Sequence, residues 1–239
     1  FAQNGAQVSA ALRTLTEKVF VTSRLFAGYS GALDAGVLAQ LIAALPQGAP
    51  GETAAHKRYD AAACAVGIPA DVGFCALGHN LYALGSSYSG ACPVLSSLVS
   101  YGYLWNMVRV QGGAYGTGMN VRRSGDIFCY SYRDPNLDNT RAVFSAVADF
   151  IEDFAAQGMP LDDIIIGAVN TTDPLLDPAG VCESQCVRAL KGVTPEELAK
   201  IRHELLATKP ADLAAMAGVL RKYAREGKFC TFSGANGGA

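Results

Sequence analysis

The sequence predicts an α+β fold in which helices pack on one face of a mixed or antiparallel sheet. Short strand patterns of period 2 are mixed with helical patterns of period 3.6, and two of the strands read as a hairpin. No regular strand–helix–strand alternation appears, which argues against a doubly wound parallel sheet.

The elements follow in order. Lys18 to Arg24 alternate β-branched residues and read as a short strand, and the apolar run from Leu33 to Leu45 reads as a helix stopped by Pro46. Pro46 to Glu52 holds two Pro and two Gly and is the most linker-like stretch, so it divides residues 1–48 from 49–239. Ala61–Val66 and Val72–Leu77 read as strands separated by Gly67, Ile68 and Pro69. From Ser89 to Val110 the pattern is helical, with Val94, Leu98, Trp105 and Val108 on one side and Leu95 and Val99 beside them, until Gly112-Gly113 ends it.

Tyr115–Val121 and Ile127–Tyr132 form the hairpin, turning through Arg122, Arg123, Ser124 and Gly125. Asp134-Pro135 supplies an N-cap and a first-turn proline, and Leu137, Phe144, Val147, Ile151 and Phe154 recur at helical spacing until Gly158. Further helices are expected from Asp177-Pro178, from Thr194-Pro195-Glu196-Glu197 with its capping box, and near Pro210. Lys228–Phe232 closes with a strand.

Composition narrows the function classes. Hydrophobic residues make up 50% and charged residues 17%, the latter below the usual share of about 25%, so the chain folds around a core. The apolar excess reads either as an Ala-rich helical core or as a face covered by a partner. With a net charge of −2 and no basic stripe, nucleic acid is not an expected partner. No apolar run reaches the roughly 18 residues of a spanning helix, and no signal layout opens the chain, so no membrane is expected. The first residue is Phe, which reads as a start inside a longer precursor.

Seven cysteines, with no C-x-x-C pair, point to a thiol-reducing compartment, cytoplasm or organelle matrix. Cys182 and Cys186, four apart on a helix, read as small buried hydrophobes since no further Cys or His stands at ligand spacing.

The histidines His56, His79 and His203 are far apart in sequence. His203-Glu204 opens like H-E-x-x-H, but Ala207 stands where the second ligand would be; the inverted H-x-x-E-H is absent, as are G-x-S-x-G and a P-loop. The chain therefore predicts no metal site and no self-contained hydrolase or nucleotide site of its own, and His203 reads as a solvated helix residue.

The informative stretch is GYLWNMVRVQGGAYGTG, residues 102–118. Arg109 falls in the last helical turn, from which its guanidinium can reach across the following loop. There it either complements the carbonyl-rich helix end or contacts a ligand. Gly112, Gly113, Gly116 and Gly118 leave the backbone around Tyr115 bare, which suits a tight turn or close approach by another backbone. A nucleotide-binding reading of Gly116-x-Gly118 fails, because position 121 is Val and a strand follows.

The run LWNMVRVQGGAYG, preceded by HNLYALGSSYSGACPVLSSLVSYGY and followed by SYRDPNL, resembles the last repeat of presequence proteases in the pitrilysin/insulinase family of zinc metallopeptidases. The block from His79 to Leu137 is specific, and the likeness extends more weakly from Lys18 to the C-terminus. The resemblance implies a clamshell of four similar α+β units. Zinc is held by an inverted motif in the first unit, and the last unit closes over the peptide.

It also implies that an Arg and a Tyr of the last unit, matching Arg109 and Tyr115, reach the active site, with Gly112 and Gly113 at the substrate. The partners it implies are peptide substrates and an N-terminal catalytic half of the same polypeptide. Zinc is then a cofactor of the full-length enzyme, and this chain alone is expected to be inactive. Residues 1–48 are expected to be the trailing strand and helix of the preceding repeat, or part of the same domain. The alternatives are a non-catalytic peptide-binding or scaffold subunit of the same fold and a domain that binds an anion at the glycine-rich turn.

Overall fold

In the computed structural model, residues 4–49 and 62–234 are described, and the chain divides into two compact units, Phe1–Tyr59 with Leu176–Thr194, and Asp60–Leu175 with Pro195–Ala239. His56 and the end of the predicted linker lie outside the described residues.

The first unit is helical: α1 (Gly5–Val19), α2 (Ala35–Ala44) and α7 (Pro178–Leu190). Lys18–Arg24 is not a strand, since α1 runs through Val19 and Thr22–Arg24 forms a 3-10 turn. The reason lies upstream. Val8, Leu12, Leu15 and Val19 repeat at helical spacing and carry the winding past the short β-branched run, leaving an exposed apolar stripe. The Asp34 carboxylate caps α2 by accepting from Gly36 N and Val37 N, and Asp177 caps α7 at Gly180 N. Cys182 and Cys186 are only half-buried, with the Cys186 thiol against Gly28, so they are not core residues.

In the second unit the period-2 pattern is obeyed closely. Along β4 (Asp126–Asp134) Ile127, Cys129 and Ser131 are buried while Tyr130 and Tyr132 are exposed, because alternate side chains face opposite sides of a sheet. Among the described residues the strands β1 (Cys64–Gly67), β2 (Gly73–Asn80), β3 (Gly116–Val121), β4 and β5 (Lys228–Ser233) form one mixed sheet of order β1-β5-β2-β4-β3. β1 and β5 are parallel and every other pair is antiparallel. The C-terminal strand thus separates β1 from β2.

Helices cover the face that carries Leu77, Met119, Ile127 and Cys129. They are α3 (Ala91–Ser97), α4 (Leu137–Ser145), α5 (Val147–Ala156), α6 (Asp162–Thr172), α8 (Pro195–Ala207), α9 (Pro210–Ala214) and α10 (Ala217–Glu226). Tyr223 of α10 ties the layers together, donating its hydroxyl to Leu77 O at 2.6 Å and accepting from Cys129 N at 2.8 Å.

Two local expectations change. The helix after Pro135 begins at Leu137 with Asn136 as its cap, and it breaks at Ala146 into α4 and α5. Asp134, 1% exposed, accepts instead from Asn136 N at 2.8 Å and Thr140 Oγ1 at 2.6 Å, bracing the turn that leads into α4. The other change follows α3, which continues as a π-helical segment, Leu98–Gln111. Five-residue steps advance each residue by less angle than an α-helix does, so burial falls on Leu98, Val99, Leu104 and Val108, while Trp105 turns outward to 40% exposure.

Candidate functional site

The π segment ends at the glycine pair. Gly113 takes φ +83°, and its N–H donates to Arg109 O at 3.0 Å while Ala114 N donates to Val108 O at 3.1 Å. These bonds reach one residue further than those of an ordinary glycine-ended α-helix, as five-residue winding requires. A Cβ at Gly112 would stand 2.6 Å from Val108 O, so glycine is needed there for space and at Gly113 for its backbone angle.

Past this turn the chain enters β3, an edge strand. Two of its outward N–H groups are taken: Met119 N donates to Ser100 Oγ at 2.8 Å and Val121 N to Ser96 Oγ at 3.0 Å. Two serines thus lash the helix to the strand that follows it. On the other side a bulge locks the start of β3. Between the pairs Gly73↔Asp134 and Phe74↔Tyr132, Arg133 is the extra residue, at φ +49°. Tyr115 N donates to both Tyr132 O and Arg133 O, at 3.1 and 3.2 Å.

This frame brings Arg109 and Tyr115 together. The Arg109 guanidinium carbon lies 4.1 Å from the centroid of the Trp105 ring and 5.6 Å from that of Tyr115. Tyr115 in turn stands edge-on to Tyr132 at 5.7 Å, and Tyr132 edge-on to Phe74 at 5.3 Å. Tyr115 is 62% exposed. Among the described residues neither the Arg109 guanidinium nor the Tyr115 hydroxyl has a hydrogen-bond or ion-pair partner. Tyr115 is thus exposed and Arg109 half-buried, and the ring contacts that hold them leave their N–H and O–H groups unspent.

Sequence reading placed Arg109, Gly112, Gly113 and Tyr115 in one turn. It missed Trp105 as the support of Arg109, because α-helical spacing puts that ring in the core. It also missed Ser96, Ser100 and Arg133; a serine at each of two positions four apart, between the buried apolar residues of the helix, was the available signal for the first two.

The two described histidines, His79 and His203, do not join this turn. His203 is exposed on α8 and His79 lies in β2. Among the described residues no three His, Cys, Asp or Glu side chains gather as a bound metal would require, so these residues do not fit a zinc site.

Residues 64–231 match the family model described as "PreP C-terminal domain". The chain belongs to that family. Presequence protease 1, chloroplastic/mitochondrial, of Arabidopsis thaliana is 34% identical over 154 residues, 64% of this chain and 14% of the relative. Protein HypA of Clostridium perfringens is 32% identical over 160 residues, 67% of this chain and 16% of that protein. The chain thus spans about one-sixth of the length of the curated relatives it matches. A crystal structure of a peptidase M16 inactive domain from Pseudomonas fluorescens has the same fold, with a TM-score of 0.56 at 13% identity over 85% of this chain and 51% of that one. In this PreP C-terminal domain the matched block contains the whole Arg109–Tyr115 turn and all five strands apart from the last two residues of β5.

Proposed function

We propose that this chain is the C-terminal, substrate-clamping part of a zinc-dependent endopeptidase that degrades peptides, with Arg109 and Tyr115 contacting the peptide at the point of cleavage. The observation that carries the proposal is the pairing of a guanidinium and a phenol across one glycine turn, with both donor groups uncommitted. A peptide carbonyl under attack gathers negative charge, and donors already aimed at it lower the barrier. Arg109 offers a rigid fork of N–H groups and Tyr115 a single O–H. The bare backbone at Gly112 and Gly113 lets an extended peptide come close.

The Arabidopsis relative is named a presequence protease, and both relatives are some six to seven times longer than the match, which supports a peptidase built from more than this region. In this reading zinc is held by residues outside the described ones, and an N-terminal catalytic half of the same polypeptide is the partner. Residues 1–48 are the tail of a preceding repeat and 49–239 the last one. The compartment is a reducing one, cytoplasm or organelle matrix; among the described residues no helix is long and apolar enough to cross a membrane.

The test compares the 239-residue chain with the longest protein its gene encodes, by metal analysis and by cleavage of fluorogenic peptides. Zinc and cleavage confined to the longer protein support the proposal. Cleavage by the short chain alone overturns it, and peptide binding without cleavage by the longer protein favours the non-catalytic subunit.

A further inference from the structure

The parallel ladder between β1 and β5 sets Cys64 directly opposite Cys230. Neighbouring strands run about 4.8 Å apart and partnered side chains share a face, so the two Cα atoms stand within the roughly 4.4–6.8 Å that a disulfide spans. The register makes the two thiols nearest cross-strand neighbours, and the adjacent Cys230 thiol, ahead of burial and charge, raises the Cys64 pKa. The Cys230 thiol also reaches Ala62 O at 3.7 Å, just before β1. Cys64 is exposed and Cys230 half-buried, so a small oxidant can reach the pair.

The other cysteines differ. Cys75, Cys92 and Cys129 are buried in the core. Cys182 and Cys186 lie four apart on α7, where a bond would close a short loop inside one helix and restrain little. A bond from Cys64 to Cys230 would join residues 166 positions apart, since 230 − 64 = 166, and pin the edge strand β1 to the sheet.

We infer that Cys64 and Cys230 form a redox-modification site that takes small disulfides such as glutathione disulfide and becomes a β1–β5 disulfide staple. One protein thiolate attacks a sulfur of glutathione disulfide and expels one glutathione thiolate. The second protein thiol loses its proton and attacks the protein sulfur of that mixed disulfide, expelling the second glutathione. Two protein thiols are oxidised and one glutathione disulfide is reduced to two glutathiones. The ladder places this pair in a row with Ala76, Tyr130 and Gly118 across the open face of the sheet, the face that carries Tyr132. The inference is independent of the peptidase reading.

The experiment treats the intact chain with glutathione disulfide, counts free thiols after denaturation, and maps the non-reduced tryptic peptides. The expected result is a fall from seven thiols to five, with the peptide containing Cys64 joined to that containing Cys230 and the link lost on adding dithiothreitol. Hydrogen exchange at the β1 amides should slow by roughly tenfold in the oxidised form. Cys64→Ser should block the link and leave Cys230 as a glutathione adduct. Seven thiols remaining, adducts that never resolve, or a link confined to Cys182 and Cys186 would each overturn the inference.

Discussion

The guanidinium of Arg109 rests on the ring of Trp105, its central carbon 4.1 Å from the ring centroid, while the ring itself is turned outward by the π-helical winding. Trp105 thereby fixes the direction of Arg109 without using any of its N–H groups. A cation–π contact at an exposed site contributes about 0.5–1 kcal/mol. If the proposed function holds, Trp105→Ala in the longest protein from this gene lowers kcat/KM by about two- to fivefold, and Trp105→Phe recovers part of that loss. Equal kinetics for wild type and Trp105→Ala would remove Trp105 from the account.

Tyr223 bridges two directly opposed residues of the sheet, Leu77 and Cys129, from beneath. Tyr223→Phe leaves a buried carbonyl and a buried N–H unpaired, so urea denaturation should show a loss of about 1–3 kcal/mol. A loss below about 0.3 kcal/mol would mean that the phenol does not hold α10 to the sheet.

Gly90 sits against the backbone of α8, where a Cβ would collide with Leu205 N and Ile201 O, and its N–H donates to Glu204 Oε2 at 2.9 Å. Gly90→Ala should force α3 and α8 apart and destabilise the chain by about 1–3 kcal/mol. A melting temperature unchanged by this substitution would contradict the packing of these two helices.

Burial pushes the Cys75 thiol from 9.0 up to about 11 and the Cys129 thiol up to about 12, and it also raises Cys92 and Tyr223. The folded chain holds these protons after the unfolded chain has released them. Stability from this source is complete below about pH 9 and is lost as pH rises through the folded values. The denaturation midpoint should stay level from pH 7 to about 8.5 and fall steadily toward pH 11. Native alkylation near pH 8 should mark Cys64, Cys182, Cys186 and Cys230 and spare the three buried thiols. Rapid labelling of Cys129 in folded protein would show that its burial is wrong.

Much of the second unit was legible because its signals are local. The β3–β4 hairpin follows from alternation on both sides of Arg122–Gly125, and the end of the π segment follows from Gly112-Gly113. Strand order was not legible. Nothing in Lys228–Ser233 alone says that it inserts between β1 and β2, since pairing over such separations is set by the assembled core. The winding of Leu98–Gln111 was also hidden, because a five-residue step leaves the same apolar residues in the sequence and only redistributes their directions.

At the candidate site the turn was read from its glycines. The supports from Ser96, Ser100 and Arg133 arise from a strand edge and a bulge that exist only once the sheet is formed. At Lys18–Arg24 a short β-branched run was outweighed by the longer stripe of Val8, Leu12, Leu15 and Val19, and α6 went unmarked because Asp162-Asp163 precede an isoleucine run that fits strand or helix alike.

The central claim is that two uncommitted donors, Arg109 and Tyr115, act together on the peptide being cut. It is tested most directly by steady-state kinetics of Arg109→Ala and Tyr115→Phe in the longest protein from this gene, with folding checked by circular dichroism. Each should lower kcat/KM by roughly tenfold to a thousandfold, and the double substitution should cost less than the product of the two because both donors serve one carbonyl. Wild-type kinetics in both folded single variants would contradict the account.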